Sequence, residues 1–398
     1  MISVSAGFRT AATNSHEAKF RVELRKTTGQ LVEVLTDSLI GGAVTIDSSA
    51  SYRRQLSLTL SQEVLGWAGG GGGSLGTGGR YGDMSAKYGS KGQTLTYGQL
   101  AGGSGGTIHP QAGHEIHVWR GIVVSGSTEW VKLGVFHISS VRSVAKPGNA
   151  IEITGYDRSR LVSLTTWLTT TEAPGIIPLH LLINASVKSL LGSIPFNTKG
   201  TIASPTPDRG AYVLELGSDP WEELSKVAKS YGLEMFFDAN GDFVVQYLPQ
   251  LTGASDWTFR AGSNGTLIDR DLDQTDEGVC NAVLVMNSEG MLAYASDGDP
   301  GSTTYVYGPF GQRVHIENTD LQLNETQAMA LAQKLLSQKL GLMQELNITS
   351  VPMPALEPGD IVRVFDSAGI DAQYNVVAVT IPLDLVTPMT TLVRREIA

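Results

Sequence analysis

DPWEELSKVAKSYGLEMFFDANGDFVVQYL, Asp219 to Leu248, reads as a helix followed by a hairpin. Asp219 suits an N-cap, because its carboxylate can accept from free N–H groups of the first turn. Pro220 suits the first helical position, and Glu222 stands three residues after the cap, as in a capping box. Trp221, Leu224, Ala228 and Tyr231 then share one helical face, and Gly232 ends the helix. LEMFF and DFVVQYL are strands around DANGD, where Asn240-Gly241 signals a hairpin turn, since both central residues tolerate positive φ.

Outward from this unit the periodicity changes on both sides. Toward the N-terminus, AKFRVELRK (Ala18 to Lys26) alternates, with Phe20, Val22 and Leu24 on one face. GGAVTIDSS and RRQLSLTLS continue the pattern, as do HEIHVWRGIVV, EWVKLGVFHISSVRSV and AIEITGYD. Toward the C-terminus, VCNAVLVMN, DIVRVFD, YNVVAVTIPL and MTTLVRREI read as further strands. One helix interrupts them over 324–340, with Ala328, Leu331, Ala332, Leu335 and Leu336 as its apolar stripe. RSRLVSLTTWL and HLLINASVKSLLGSI carry helical spacing before the central unit. The expectation is a mainly β protein with an α+β middle: a first β region over 1–157, a helical and α+β middle over 158–262, and a second β region over 263–398.

A chain of 398 residues is long for one core. Hydrophobic residues make up 41% and charged residues only 17%, which suits a folded, strand-rich protein. The net charge of −10 disfavours a grip on nucleic acid, which draws on clustered Lys and Arg. No apolar run is long enough for a membrane span, and the N-terminus lacks a secretory signature, so synthesis in a cytoplasm is expected. The single cysteine, Cys280, excludes an intrachain disulfide and is expected to be a buried, inert thiol.

GWAGGGGGSLGTGGR, from Gly66, opens a glycine-rich stretch over 67–108 that interrupts the first β region. It is no Walker loop, having no GK followed by Ser or Thr, and no dinucleotide fingerprint, having no helix after it. It reads as an insertion, with Tyr81, Tyr88 and Tyr97 as candidate contact anchors, each followed by glycine. His109, His114 and His117 cluster around Glu115. HEIH is not the HExxH zinc motif, and on a strand His114 and His117 point to opposite faces. DRDLDQTDEG (Asp269 to Gly278) resembles a calcium loop at its start, but Gln274 and Cys280 stand where an EF-hand needs Gly and Glu. DANGD is explained by its hairpin. No nucleophile elbow is present. The expectation is no catalytic residue, no metal, no cofactor and no enzyme activity.

Three stretches, taken in order, resemble minor tail proteins of long-tailed bacteriophages. GGAVTIDSSASYRRQLSLTL with EIHVWRGIVVSGSTEWVKLGVFHISSV and IEITGYDRSRLV is similar to their opening portion. DPWEELSKVAKSYGLEMFFDANGDFVVQYLP is similar to their middle unit, and PALEPGDIVRVFDSAGIDAQYNVVAVTIPL with MTTLVRRE to their C-terminal portion. The resemblance implies a tail-tip or baseplate hub: a homotrimer whose chains each supply two tail-tube-like β-barrels. It implies as partners a distal tail protein or tail-tube ring, the tape-measure protein and other tip proteins, with DNA only in passage through a channel. The virion tail tip is then the expected location. Two rival readings remain. One is a host-receptor or carbohydrate-binding tip protein using the Tyr-Gly stretch. The other is a tail-associated peptidoglycan hydrolase using the histidine cluster. Some relatives carry a hydrolase after the hub region, whereas this sequence ends at Ala398 after VRREI, so a lysin role is not expected.

Overall fold

The computed structural model describes residues 1–61, 113–144, 150–192, 194–202, 204–249, 251, 253–263, 265–275, 279–287, 290–319, 325–339 and 342–397. The first region holds a short helix, α1 (Ala6–Ala12), and seven strands: β1 (Ala18–Lys26), β2 (Leu31–Val34), β3 (Leu39–Asp47), β4 (Arg54–Ser61), β5 (His114–Val124), β6 (Ser127–Val144) and β7 (Ala150–Tyr156). The middle holds α2 (Ser159–Ser163), β8 (Thr171–Glu172), α3 (Leu179–Leu191), β9 (Phe196–Thr198), β10 (Val213–Leu214), α4 (Pro220–Ser230), β11 (Leu233–Phe237) and β12 (Phe243–Tyr247). The last region holds β13 (Trp257–Arg260), β14 (Leu267–Thr275), β15 (Ala282–Asn287), β16 (Gly290–Ser296), β17 (Val314–Asn318), α5 (Glu325–Lys339), β18 (Leu342–Ser350), β19 (Ile361–Phe365), β20 (Asp371–Pro382) and β21 (Met389–Ile397).

The strands of the first and last regions form one ladder. Its order is β14-β18-β21-β20-β3-β4-β7-β6-β5-β1-β2, with β19 and then β13 branching from β20. The expected pair of separate closed barrels is not what the pairing gives. β3 joins β20 over Ala43–Asp47 and Ala378–Pro382, and the strands at the two ends of the ladder do not pair with each other. Before this join, β3 bulges against β4 between Leu39 and Gly41. Gly42 sits beside that bulge at φ +143, and a Cβ there would lie 2.2 Å from the Ser57 carbonyl oxygen. Alternation along β4 buries Leu56, Leu58 and Leu60. They share an apolar core with Val44 and Ile46 of β3 and Val379, Ile381 and Val393 of the last region.

The middle has its own core. Leu224, Val227 and Ala228 of α4 pack on Leu233, Phe237, Phe243 and Val245 of the β11–β12 hairpin, with β9 parallel to β12. A third, smaller core puts Ala328, Leu331 and Ala332 of α5 against Val283, Val285, Ala293 and Ala295 of the sheet β16-β15-β17. No helix of the described residues is long and apolar enough to cross a membrane.

The helix start reads out as the sequence implies, with one difference. The Asp219 carboxylate accepts from the N–H groups of Trp221 at 2.8 Å and Glu222 at 3.2 Å. Glu222 does not complete a capping box; its carboxylate pairs with Lys226 at 3.0 Å. Asp219→Ala is therefore expected to cost about 1 kcal/mol, read as a shifted urea midpoint with an unchanged slope. In the DANGD turn only Gly241 has positive φ, at +81, while Asn240 does not. The Asp238 carboxylate accepts from the N–H groups of Asn240 at 2.8 Å and Asp242 at 2.9 Å, which holds the turn tight without a second left-handed residue.

Candidate assembly site: the junction of the three regions

Alternation puts Arg54 on the same face of β4 as Leu56, Leu58 and Leu60, so its guanidinium enters the protein. It is 1% exposed. A buried charge of this kind persists only when its donors are all used. Here Nη1 donates to the Leu133 carbonyl at 2.8 Å, Nε to the Phe237 carbonyl at 3.3 Å, and Nη2 to Glu357 Oε2 at 2.5 Å. One side chain thus bonds β6, the end of β11 and the segment before β19. The Arg54 N–H also donates to Asp157 Oδ2 at 2.8 Å.

Neighbouring groups repeat the pattern. Arg53 donates to the Pro358 carbonyl at 2.8 Å, reaches Glu234 at 3.4 Å and lies 3.9 Å over the Phe236 ring. Arg158 holds Glu115 by two bonds of 2.8 Å and donates to the Gly241 carbonyl at 2.8 Å, which ties β5 to the hairpin turn. Trp221 Nε1 donates to the Ser51 carbonyl at 3.0 Å. The Met1 ammonium pairs with Asp360, and the Ile2 N–H donates to the Ala355 carbonyl at 2.8 Å. Between these contacts lies a cavity of about 250 Å³, lined by Arg54, Lys132, Lys199, Phe236, Asp238 and Glu357 among others.

The electrostatics follow from burial and pairing. Burial pushes the Glu357 carboxyl up, but the charge and hydrogen bond of Arg54 outweigh it and hold the group below the usual carboxylate range. Glu115 behaves likewise: its burial is outweighed by the nearby His117 and by the charge and two hydrogen bonds of Arg158. Asp157 goes the other way, pushed up by full burial despite its bonds from Ser159 and the Arg54 N–H. Such groups stiffen a joint.

His114, His117 and His137 lie beside this joint. His114 and His117 lie on opposite faces of β5, whose pairing with β1 has no register break. His117 faces Glu115 at 3.7 Å and Trp119 at 5.9 Å, and His137 of β6 pairs in register with Glu115. Among the described residues no group of His, Cys, Asp or Glu is placed to hold a metal. Asp269 to Thr275, the calcium-like start, is strand β14. Cys280 is half-buried rather than buried, because it precedes β15 at the rim of the small α5 core. Tyr81, Tyr88, Tyr97 and His109 lie outside the described residues.

Burial pushes His114, His117 and His137 below the ordinary imidazole value of 6.5. Their folded forms therefore bind fewer protons than the unfolded chain as pH falls from 6.5. Their contribution to stability should be fully present above that value and be lost as pH falls below it. Thermal midpoints of the wild type and of His117→Gln with His137→Gln should converge across this window. Parallel curves would refute the assignment.

The charged junction was only partly legible. Arg54 is flagged by its inward phase among leucines. Glu357 and Arg158 carry no such signal, since their partners are distant in sequence.

No protein-family model matches the sequence, and no curated protein matches it. Solved structures do. A tail protein from Neisseria meningitidis MC58 aligns at a TM-score of 0.60 and 13% identity, covering 95% of this chain and 97% of that one. The 43 kDa tail protein of prophage MuSo2 from Shewanella oneidensis aligns at 0.60 and 12% identity, covering 96% and 98%. The chain has the phage tail-protein fold. Prophage tail protein gp18 from Listeria monocytogenes EGD-e shares this tail fold at 0.53 and 10% identity, with 94% of each chain covered. At such identities the likeness speaks for the fold and for no individual residue. It spans all three regions together, as the Arg54 junction does.

Proposed function

We propose that the chain is a structural hub of a phage-type tail, a homotrimer at the tail tip that joins the tail tube to the tip proteins. The observation that carries this reading is the end-to-end match to tail proteins, all three regions included. In the trimer the two strand sets joined at β3 and β20 act as two tube-like units, so that six units meet the tube ring above. The lumen passes DNA and the tape-measure protein, and a net charge of −10 keeps phosphate from adhering. The Arg54 and Arg158 contacts suit such a part, because a junction under load benefits from regions that cannot hinge. The role is structural, without catalysis. The test is imaging of native particles with this chain labelled, together with the mass of the chain in solution. Three copies around the tail axis are expected. A chain absent from tail tips, or present there in another number, would overturn the reading.

A further inference from the structure

The outward face of β13 and β19 departs from the acidic character of the rest. The two strands are parallel, with Thr258 beside Arg363 and Arg260 beside Phe365. These four point out, while Trp257, Phe259, Val362 and Val364 are buried. With Thr13 at the end of α1 and with Thr266, they line an open cleft of about 370 Å³. Arg260 lies 5.2 Å from the Phe365 ring centroid and has no ion pair among the described residues. Arg363 makes two bonds to Asp371, of 2.7 and 2.8 Å, but the two side chains are 51% and 44% exposed. Water competes well for such a pair, so Arg363 is available to a second carboxylate. Arg9 approaches from α1, donating to the Asp256 carbonyl at 3.2 Å, and the Asp256 carboxylate is engaged by the Ile361 N–H. Thr266 is 4% exposed, and its hydroxyl has no partner among the described residues. The cleft is thus a place for oxyanions.

The counter-charge is on the same chain. β14 ends the ladder, and its outer edge is open among the described residues. Asp269, Asp271 and Asp273 alternate along it, exposed and without an ion pair among the described residues. Alternate residues of a strand stand about 6.7 Å apart. Arg260 and Arg363 occupy diagonal positions on adjacent strands, about 7–8 Å apart. Two successive aspartates therefore match the two arginine positions in spacing along the strands as well as in sign. Among the described residues no ion pair within one chain joins them.

We infer that the Arg260–Arg363 cleft of one copy receives the aspartate row of β14 from a second copy. The contact uses a different surface on each partner, so it is head-to-tail and closes a ring when the rotation permits. It rests on the trimeric reading above and names the surfaces that would make the ring.

The test is charge reversal, read by light scattering across a range of protein concentration and salt. Arg260→Glu with Arg363→Glu should weaken self-association roughly tenfold or more, and Asp269→Lys with Asp271→Lys should do the same. Both reversals in one chain should restore association, which a merely destabilised variant cannot do. Salt should weaken the wild-type assembly and the doubly reversed one alike. A wild-type trimer indifferent to both reversals would overturn this contact and leave the trimer standing. A wild-type chain that is monomeric in solution and in the tail would overturn both.

Discussion

Arg54→Met is expected to lower the free energy of unfolding by about 3–5 kcal/mol, the cost of breaking a buried pair from one side. The reason lies in what remains. Glu357 is 6% exposed, and its Oε1 already has no partner among the described residues. Without Arg54 its other oxygen loses its bond too, and the carbonyls of Leu133 and Phe237 lose their donor. A buried carboxylate so placed must either stay charged without a partner or take up a proton. Glu357→Gln in the Arg54→Met background should therefore recover part of the loss, because the leftover charge goes with it. Arg54→Lys should fall between, since an ammonium keeps the charge but cannot fork to three acceptors. Urea titrations of the wild type, Arg54→Met, Glu357→Gln and the double variant form a double-mutant cycle, and a coupling near zero would show that the two residues do not share this burden. The same variants should loosen all three regions together.

Local signals carried the elements well. AKFRVELRK became β1 over Ala18–Lys26, and RRQLSLTLS became β4 from Arg54. Both have period two and a buried face, so the backbone geometry follows from where the apolar residues fall. Asp219 began α4 because cap chemistry acts over three residues and is complete in the sequence. What did not show was long-range. The joining of β3 to β20 depends on two strands more than three hundred positions apart, and nothing in either states its neighbour. The two expected barrels are not marked off by that pairing, which joins their strands in one ladder. The turn at Asp238–Asp242 was placed correctly, and its backbone is set by the Asp238 side chain, which accepts from the N–H groups of Asn240 and Asp242. At the junction, Arg54 was not singled out, although a charge in the inward phase of a leucine strand is a signal, and its acceptor Glu357 lies 303 positions away. Tail-protein likeness was legible only from the order of three stretches, as expected where the fold persists at 10–13% identity.

Trp221→Ala is expected to cost about 3–5 kcal/mol, through the cavity and the lost aromatic area. Trp221 is 6% exposed and stacks on Phe237 at 5.8 Å, with Phe243 edge-on at 6.3 Å. These contacts hold α4 to its hairpin inside the middle core. Its indole N–H does something else: it donates to the Ser51 carbonyl, just before β4, and so reaches out of the middle region. Trp221→Phe separates the two roles. Phenylalanine keeps most of the stacking but leaves the Ser51 carbonyl without its donor, which should cost about 1 kcal/mol for the bond beyond any loss of packing. The alanine variant should expose α4 and the hairpin to protease while the ladder of the first and last regions persists. The phenylalanine variant should keep the middle resistant and loosen only its attachment. Amide exchange can tell these apart, since protection should fall throughout α4 and β11 in the first case and around Ser51 in the second. Equal loss of protection across the whole chain in both variants would mean that the three cores unfold as one unit, with Trp221 stabilising that unit rather than one joint within it.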